Sequence, residues 1–70
     1  MDNTKIAKRI REIRTEHNLS QMQFGEILLV SQDVVSLWET SMSLPTAEYL
    51  ISIAQIFHVS VDYILCLIDY

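Results

Sequence analysis

Few side chains in this 70-residue chain are equipped to do chemistry, and those that are argue against catalysis. His17, His58 and Cys66 are the candidate soft metal ligands, but they are scattered over three segments without the close spacing that a zinc site uses. The single glycine cannot build a phosphate-cradling loop, and a serine near a histidine is no triad without an oriented carboxylate and an oxyanion hole. The expectation is therefore no enzyme, no cofactor and no metal. Hydrogen-bonding and charge chemistry remain. Ser20-Gln21, Ser31-Gln32-Asp33, Ser36 and the run from Thr40 to Ser43 carry donors and acceptors at segment starts and ends. The five bases, Lys5, Lys8, Arg9, Arg11 and Arg14, all fall in the first fourteen positions.

Helices must position these groups. Half of the residues are hydrophobic, and Gly and Pro occur once each, which disfavours disorder and loop-rich sandwiches and favours a compact all-α domain. Ile6, Ile10 and Ile13 recur along one helical face, which predicts a first helix over about 5–17, capped by Thr4 and ended by a left-handed Asn18. Ser20 caps a second helix whose Phe24, Ile27 and Leu28 form its apolar stripe, ending near Leu28. Ser31 caps a third, carrying Val34, Val35 and Trp38 to Glu39, before a loop from Thr40 to Leu44. Thr46 caps a fourth over about 47–57, with Tyr49, Leu50, Ile53, Ala54 and Phe57 in helical register. Ser60 opens a fifth, with Tyr63, Ile64 and Leu67 along one side and Val61, Leu65 and Ile68 along another. Nothing divides the chain, so residues 1–70 are expected to form one domain.

Two capped helices joined by about three residues, the second opening on a serine, form an arrangement that can lay a helix in a DNA major groove. The residues around it resemble the Cro/C1-type, or Xre-like, helix-turn-helix regulators. The likeness runs over about residues 6–66: IREIR in helix 1, LSQ at 19–21, VS at 30–31, LWE at 37–39, LP at 44–45 and HVSVDYIL at 58–65. It implies a five-helix fold of the lambda-repressor type and a transcription regulator, a homodimeric repressor reading a short palindrome in double-stranded DNA with the helix at about 32–39. Gln21 matches a phosphate-bonding position. Gln32, Asp33 and Leu37 match base-reading positions, with Ser36 beside them and Ser31 opening the helix. Glutamine can grip adenine through two hydrogen bonds, aspartate can accept from cytosine, and leucine can only pack against a thymine methyl. Thr40, Ser41 and Ser43 match a phosphate-touching loop. Arg14 and Glu39 match a structural ion pair, and Val35 and Trp38 match core positions, joined in the expected core by Ile10, Phe24, Leu50 and Ile53.

Two departures weigh against a simple transfer. Leu29 stands where the family commonly has glycine, so the turn must strain or take another path. Relatives usually carry lysine or arginine in and after the third helix. Here residues 19–40 hold Glu26, Asp33 and Glu39 and no base, and beyond Arg14 the chain has seven acids and no base at all. Helix 1 is then expected to be the main attractant for phosphates, with modest and strongly salt-sensitive affinity. Met22, Leu29, Leu37 and Met42 are apolar at expected surface positions, which motivates a second reading: a helix-turn-helix scaffold that binds a protein partner and binds DNA weakly or not at all. The region from Ile64 to Tyr70 holds more apolar groups than one helix can bury, so Ile64, Leu65, Leu67 and Ile68 are expected to meet a second chain. The lone Cys66, the lack of a secretory leader and the lack of an apolar run of roughly 18 residues point to a cytoplasmic protein without a membrane span.

Overall fold

Serine and threonine hydroxyls set where the helices begin. In the computed structural model, which describes residues 3–70, the order is α1 (Asn3–Glu16), α2 (Gln21–Leu28), α3 (Gln32–Glu39), α4 (Ala47–Phe57) and α5 (Val61–Ile64), with no strand among the described residues. Ser20 accepts from the Gln23 amide at 3.0 Å while the Gln23 side chain accepts from the Ser20 amide at 2.8 Å. Two otherwise unpaired donors of α2 are satisfied in this reciprocal box. Ser31 and Ser60 accept from the amides of Val34 and Tyr63. Thr46 occupies the corresponding place at α4, but its hydroxyl makes no capping bond. Thr4 is not a cap, because α1 already begins at Asn3.

The helix ends are more unusual. After every helix one residue takes the left-handed conformation, and all five are non-glycine: Asn18, Leu29, Ser41, His58 and Cys66. The reason is hydrogen bonding. The left-handed residue turns the chain so that the following amide can reach back to the last carbonyls, as Val30 does to Gly25 at 2.9 Å and Met42 does to Leu37 at 3.0 Å. The Leu29 turn therefore keeps the glycine-type path and bears the strain, at φ 62° and ψ 39°. The glycine that this turn does require is Gly25, where a Cβ would lie 2.6 Å from the Val30 carbonyl oxygen.

Leu29 is 89% exposed, so its side chain does little to offset that strain. A left-handed non-glycine residue costs about 1–2 kcal/mol, partly balanced by the extra unfolded-state freedom of glycine. Leu29→Gly is accordingly expected to stabilise the domain by about 0.5–1 kcal/mol, raising the melting midpoint by several degrees. A lower midpoint in thermal denaturation would show that Leu29 is held by packing after all.

The helices close on one core. Ile6, Ile10 and Ile13 of α1 meet Phe24 and Leu28 of α2, Val35 and Trp38 of α3, Ile53 and Phe57 of α4 and Ile64 of α5, with Leu50 half-buried against them. Phe24 and Phe57 stack at 5.3 Å, and Trp38 lies against Tyr49 at 5.6 Å. Arg9 fastens α5 to α1: it donates to the Tyr63 carbonyl at 2.6 Å and covers the Tyr63 ring at 3.9 Å. The fifth helix corrects the sequence reading. It stops at Ile64, because Cys66 turns left-handed and the Cys66 and Leu67 amides bond back to Tyr63 and Asp62. The tail that follows runs beside α1, where the Cys66 thiol donates to the Lys5 carbonyl at 3.4 Å. No helix among the described residues is long and apolar enough to cross a membrane.

Candidate nucleic-acid interface

The outward side of α3 follows from its helical period. Val35 and Trp38 turn into the core, which leaves two rows outside: Gln32, Ser36 and Thr40, and beside them Asp33 and Leu37. Gln32 and Asp33 are exposed at the first turn, just after the Ser31 cap, and Ser36 is half-buried. Ser31 uses an oxygen lone pair on the Val34 amide, so its hydroxyl proton remains for an acceptor such as a phosphate. Thr40 is different. Its hydroxyl donates to the Ser36 carbonyl at 2.9 Å, so it has no proton to offer a phosphate oxygen. Ser41 and Ser43 are half-buried in the following loop, where Ser41 supplies the left-handed turn.

One carboxylate ties the two helices of this unit to α1. Arg14 donates from Nε and a terminal nitrogen to the Glu39 oxygens at 2.7 and 3.0 Å, and from its other terminal nitrogen to the Leu19 carbonyl at 2.8 Å. Gln21 adds a third donor to Glu39 at 3.2 Å. One proton of the Gln21 amide is thus committed within the protein, leaving the second for any outside acceptor. The Arg14 and Glu39 side chains are 12% and 4% exposed. The hydrogen bonds to Glu39 hold the Arg14 guanidinium above its ordinary pKa, against a lowering from burial and with help from the carboxylate charge. Glu39 is therefore compensated internally, while Glu26 and Asp33 remain exposed acids.

The bases of α1 divide: Arg11 is exposed, and Arg14 is engaged by Glu39. Lys5, Lys8 and Arg9 line a shallow pocket with Glu12, Cys66 and Asp69, against the tail that follows α5. Arg14, which does reach α3, lies roughly 8 to 14 Å further along the helix axis and is engaged by Glu39. The outer side of α3 itself carries no lysine or arginine. The residues expected to meet a second chain also divide. Ile64 is 0% exposed and belongs to the core, so it has no surface to share, whereas Leu67 is 66% exposed and Leu65 and Ile68 are half-buried. The bond between Gln21 and Glu39 and the clasp of Arg9 on Tyr63 escaped the sequence reading, since partners 18 and 54 residues apart leave no local spacing signal. Among the described residues no group of His, Cys, Asp and Glu is placed to hold a metal ion.

The profile of the Helix-turn-helix family matches residues 10–64. The HTH-type transcriptional activator BcrR of Enterococcus faecalis is 36% identical over 58 residues, which are 83% of this chain and 28% of BcrR. The uncharacterized HTH-type transcriptional regulator YobD of Bacillus subtilis (strain 168) is 32% identical over 62 residues, 89% of this chain and 55% of YobD. The chain thus spans only part of the length of these relatives. Among solved structures, the P22 c2 repressor in complex with a synthetic operator superposes with a TM-score of 0.78 at 30% identity, covering 84% of this chain and 89% of that one. The solution structure of the DNA-binding domain of the same repressor gives a TM-score of 0.80 at 31% identity, covering 93% and 86%. The shared fold, the capped pair α2 and α3 and the family match agree: the chain belongs to the helix-turn-helix family of Cro/C1-type, Xre-like transcription regulators.

Proposed function

We propose that this domain binds double-stranded DNA in a sequence-specific way and acts as a homodimeric repressor, reading a short palindrome with α3. The observation that carries the reading is the outward face of α3, where exposed Gln32 and Asp33 follow a capped first turn and nothing in the bundle covers them. Such a helix fits a major groove with its N-terminal residues against base edges. Ser31, the second proton of Gln21 and the loop hydroxyls of Ser41 and Ser43 are the donors proposed for flanking phosphates. Leu67, helped by Leu65 and Ile68, is the proposed self-association patch, and a two-fold dimer would set two copies of α3 about 34 Å apart, one turn of DNA. The P22 c2 repressor, whose structure includes an operator, supports both the ligand and the sign of regulation. BcrR, named an activator, makes that sign the part to test in cells.

Selection from a random duplex pool at low salt tests the proposal. Enrichment of a palindrome supports it, and a pool that stays random at the lowest salt rejects it. On the selected duplex, Gln32→Ala is expected to weaken binding by about 1–3 kcal/mol, the worth of a two-pronged base contact, without moving the melting midpoint. An equal loss on random duplexes would reassign Gln32 to a phosphate.

A further inference from the structure

The pocket between the first half of α1 and the tail after α5 has no part in the DNA-binding reading, and we propose that it is a site for a small zwitterion, a free α-amino acid held by its carboxylate and its ammonium group. It offers about 250 Å³, lined by Lys5, Lys8, Arg9, Glu12, Cys66 and Asp69. Sites for larger ligands enclose roughly 300–1,000 Å³, so the room here suits a molecule of amino-acid size. Its two sides come from opposite ends of the chain. They are joined where the Cys66 thiol donates to the Lys5 carbonyl at 3.4 Å, which holds the tail beside α1.

Charge decides what fits between them. The lining carries three bases and two acids, but Arg9 and Glu12 are already matched. Arg9 meets Glu12 at 3.5 Å, donates to the Tyr63 carbonyl and covers the Tyr63 ring, which leaves it little to offer a ligand. Lys5, Lys8 and Asp69 are exposed, and among the described residues none of them enters an ion pair. Lys5 and Lys8 stand three positions apart on α1, so their side chains are neighbours and both ammonium groups can converge on one carboxylate. Asp69, on the tail side, is the free acceptor for a cation. A plain anion would satisfy the lysines and meet repulsion from Asp69, and a plain cation would meet the reverse. A molecule with one charge of each sign satisfies all three.

The common L-amino acids, titrated singly at constant pH and ionic strength into ¹⁵N-labelled protein without DNA, test the inference, with acetate and methylammonium as the two halves of the ligand. At least one amino acid is expected to move the backbone amides of Lys5, Lys8, Cys66 and Asp69 together and to saturate, with a Kd on the order of millimolar, since each exposed ion pair contributes little. Neither half is expected to saturate over the same range. Lys8→Gln and Asp69→Asn change exposed side chains, so each is expected to keep the melting midpoint and to weaken binding about threefold. The inference is overturned if no amino acid saturates, if acetate alone binds as tightly, or if both variants bind like the wild type. Because no DNA is present, failure here leaves the DNA-binding proposal untouched, and a failed duplex selection leaves this one untouched.

Discussion

Trp38→Ala is expected to lower the stability of the domain by about 3–5 kcal/mol, the usual cost of truncating a buried large aromatic. Trp38 is 3% exposed and packs at 5.6 Å from Tyr49, so it joins α3 to α4 while the other side of α3 stays free. A domain of this size hides only about 60% of its unfolded surface and has little margin. For a chain of 60–100 residues each kcal/mol corresponds to about 4–8 °C in melting midpoint, so a loss of this size should leave much of the variant unfolded near 37 °C. Chemical denaturation followed by circular dichroism measures it. An unchanged midpoint would mean that α3 is anchored elsewhere, and the outward direction of Gln32 would lose its structural support.

Glu39→Ala is the second large expected effect, about 1.5–3 kcal/mol, because it removes the acceptor of charge-assisted hydrogen bonds in a half-buried site. Arg14 would keep one bond, to the Leu19 carbonyl, and Gln21 would lose its acceptor. Pairing Glu39→Leu with Arg14→Met should recover most of the loss, since an apolar replacement of both charges removes the desolvation penalty with them. A double variant as unstable as Glu39→Ala alone would contradict that. The pair gives no pH dependence of stability through arginine in the neutral range. Its folded-state pKa is raised, so the stabilisation is complete below the unfolded value and is lost only where the guanidinium itself deprotonates, far into alkali.

Local chemistry was the most readable part of the sequence. Ser20, Ser31 and Ser60 announce helix starts because their hydroxyls can satisfy amides three residues on, and the spacing of Ile6, Ile10 and Ile13 announces a buried face. The length of α5 was not readable. Ile64, Leu65, Leu67 and Ile68 keep an apolar pattern, but hydrophobicity says that a residue prefers burial without saying against what. Backbone bonds at Cys66 end the helix, and Ile64 is covered by its own chain. Leu29 misleads for a related reason: leucine does not favour a left-handed turn, yet the bonds of the Leu29 and Val30 amides to Glu26 and Gly25 hold it there. The meeting of Lys5, Lys8 and Arg9 with Cys66 and Asp69 of the tail after α5 was equally hidden, since these partners lie far apart in the chain.

Under the proposed function, DNA meets the sparsely charged outer side of α3 and not the basic half of α1. Titration of the selected duplex into ¹⁵N-labelled protein, followed at each backbone amide, separates the two surfaces. Resonances of residues 31–43 and of Gln21 are expected to move together and saturate, while those of Lys5, Lys8 and Arg9 stay nearly in place. Movement confined to the first half of α1, or to the tail beyond Ile64, would contradict it.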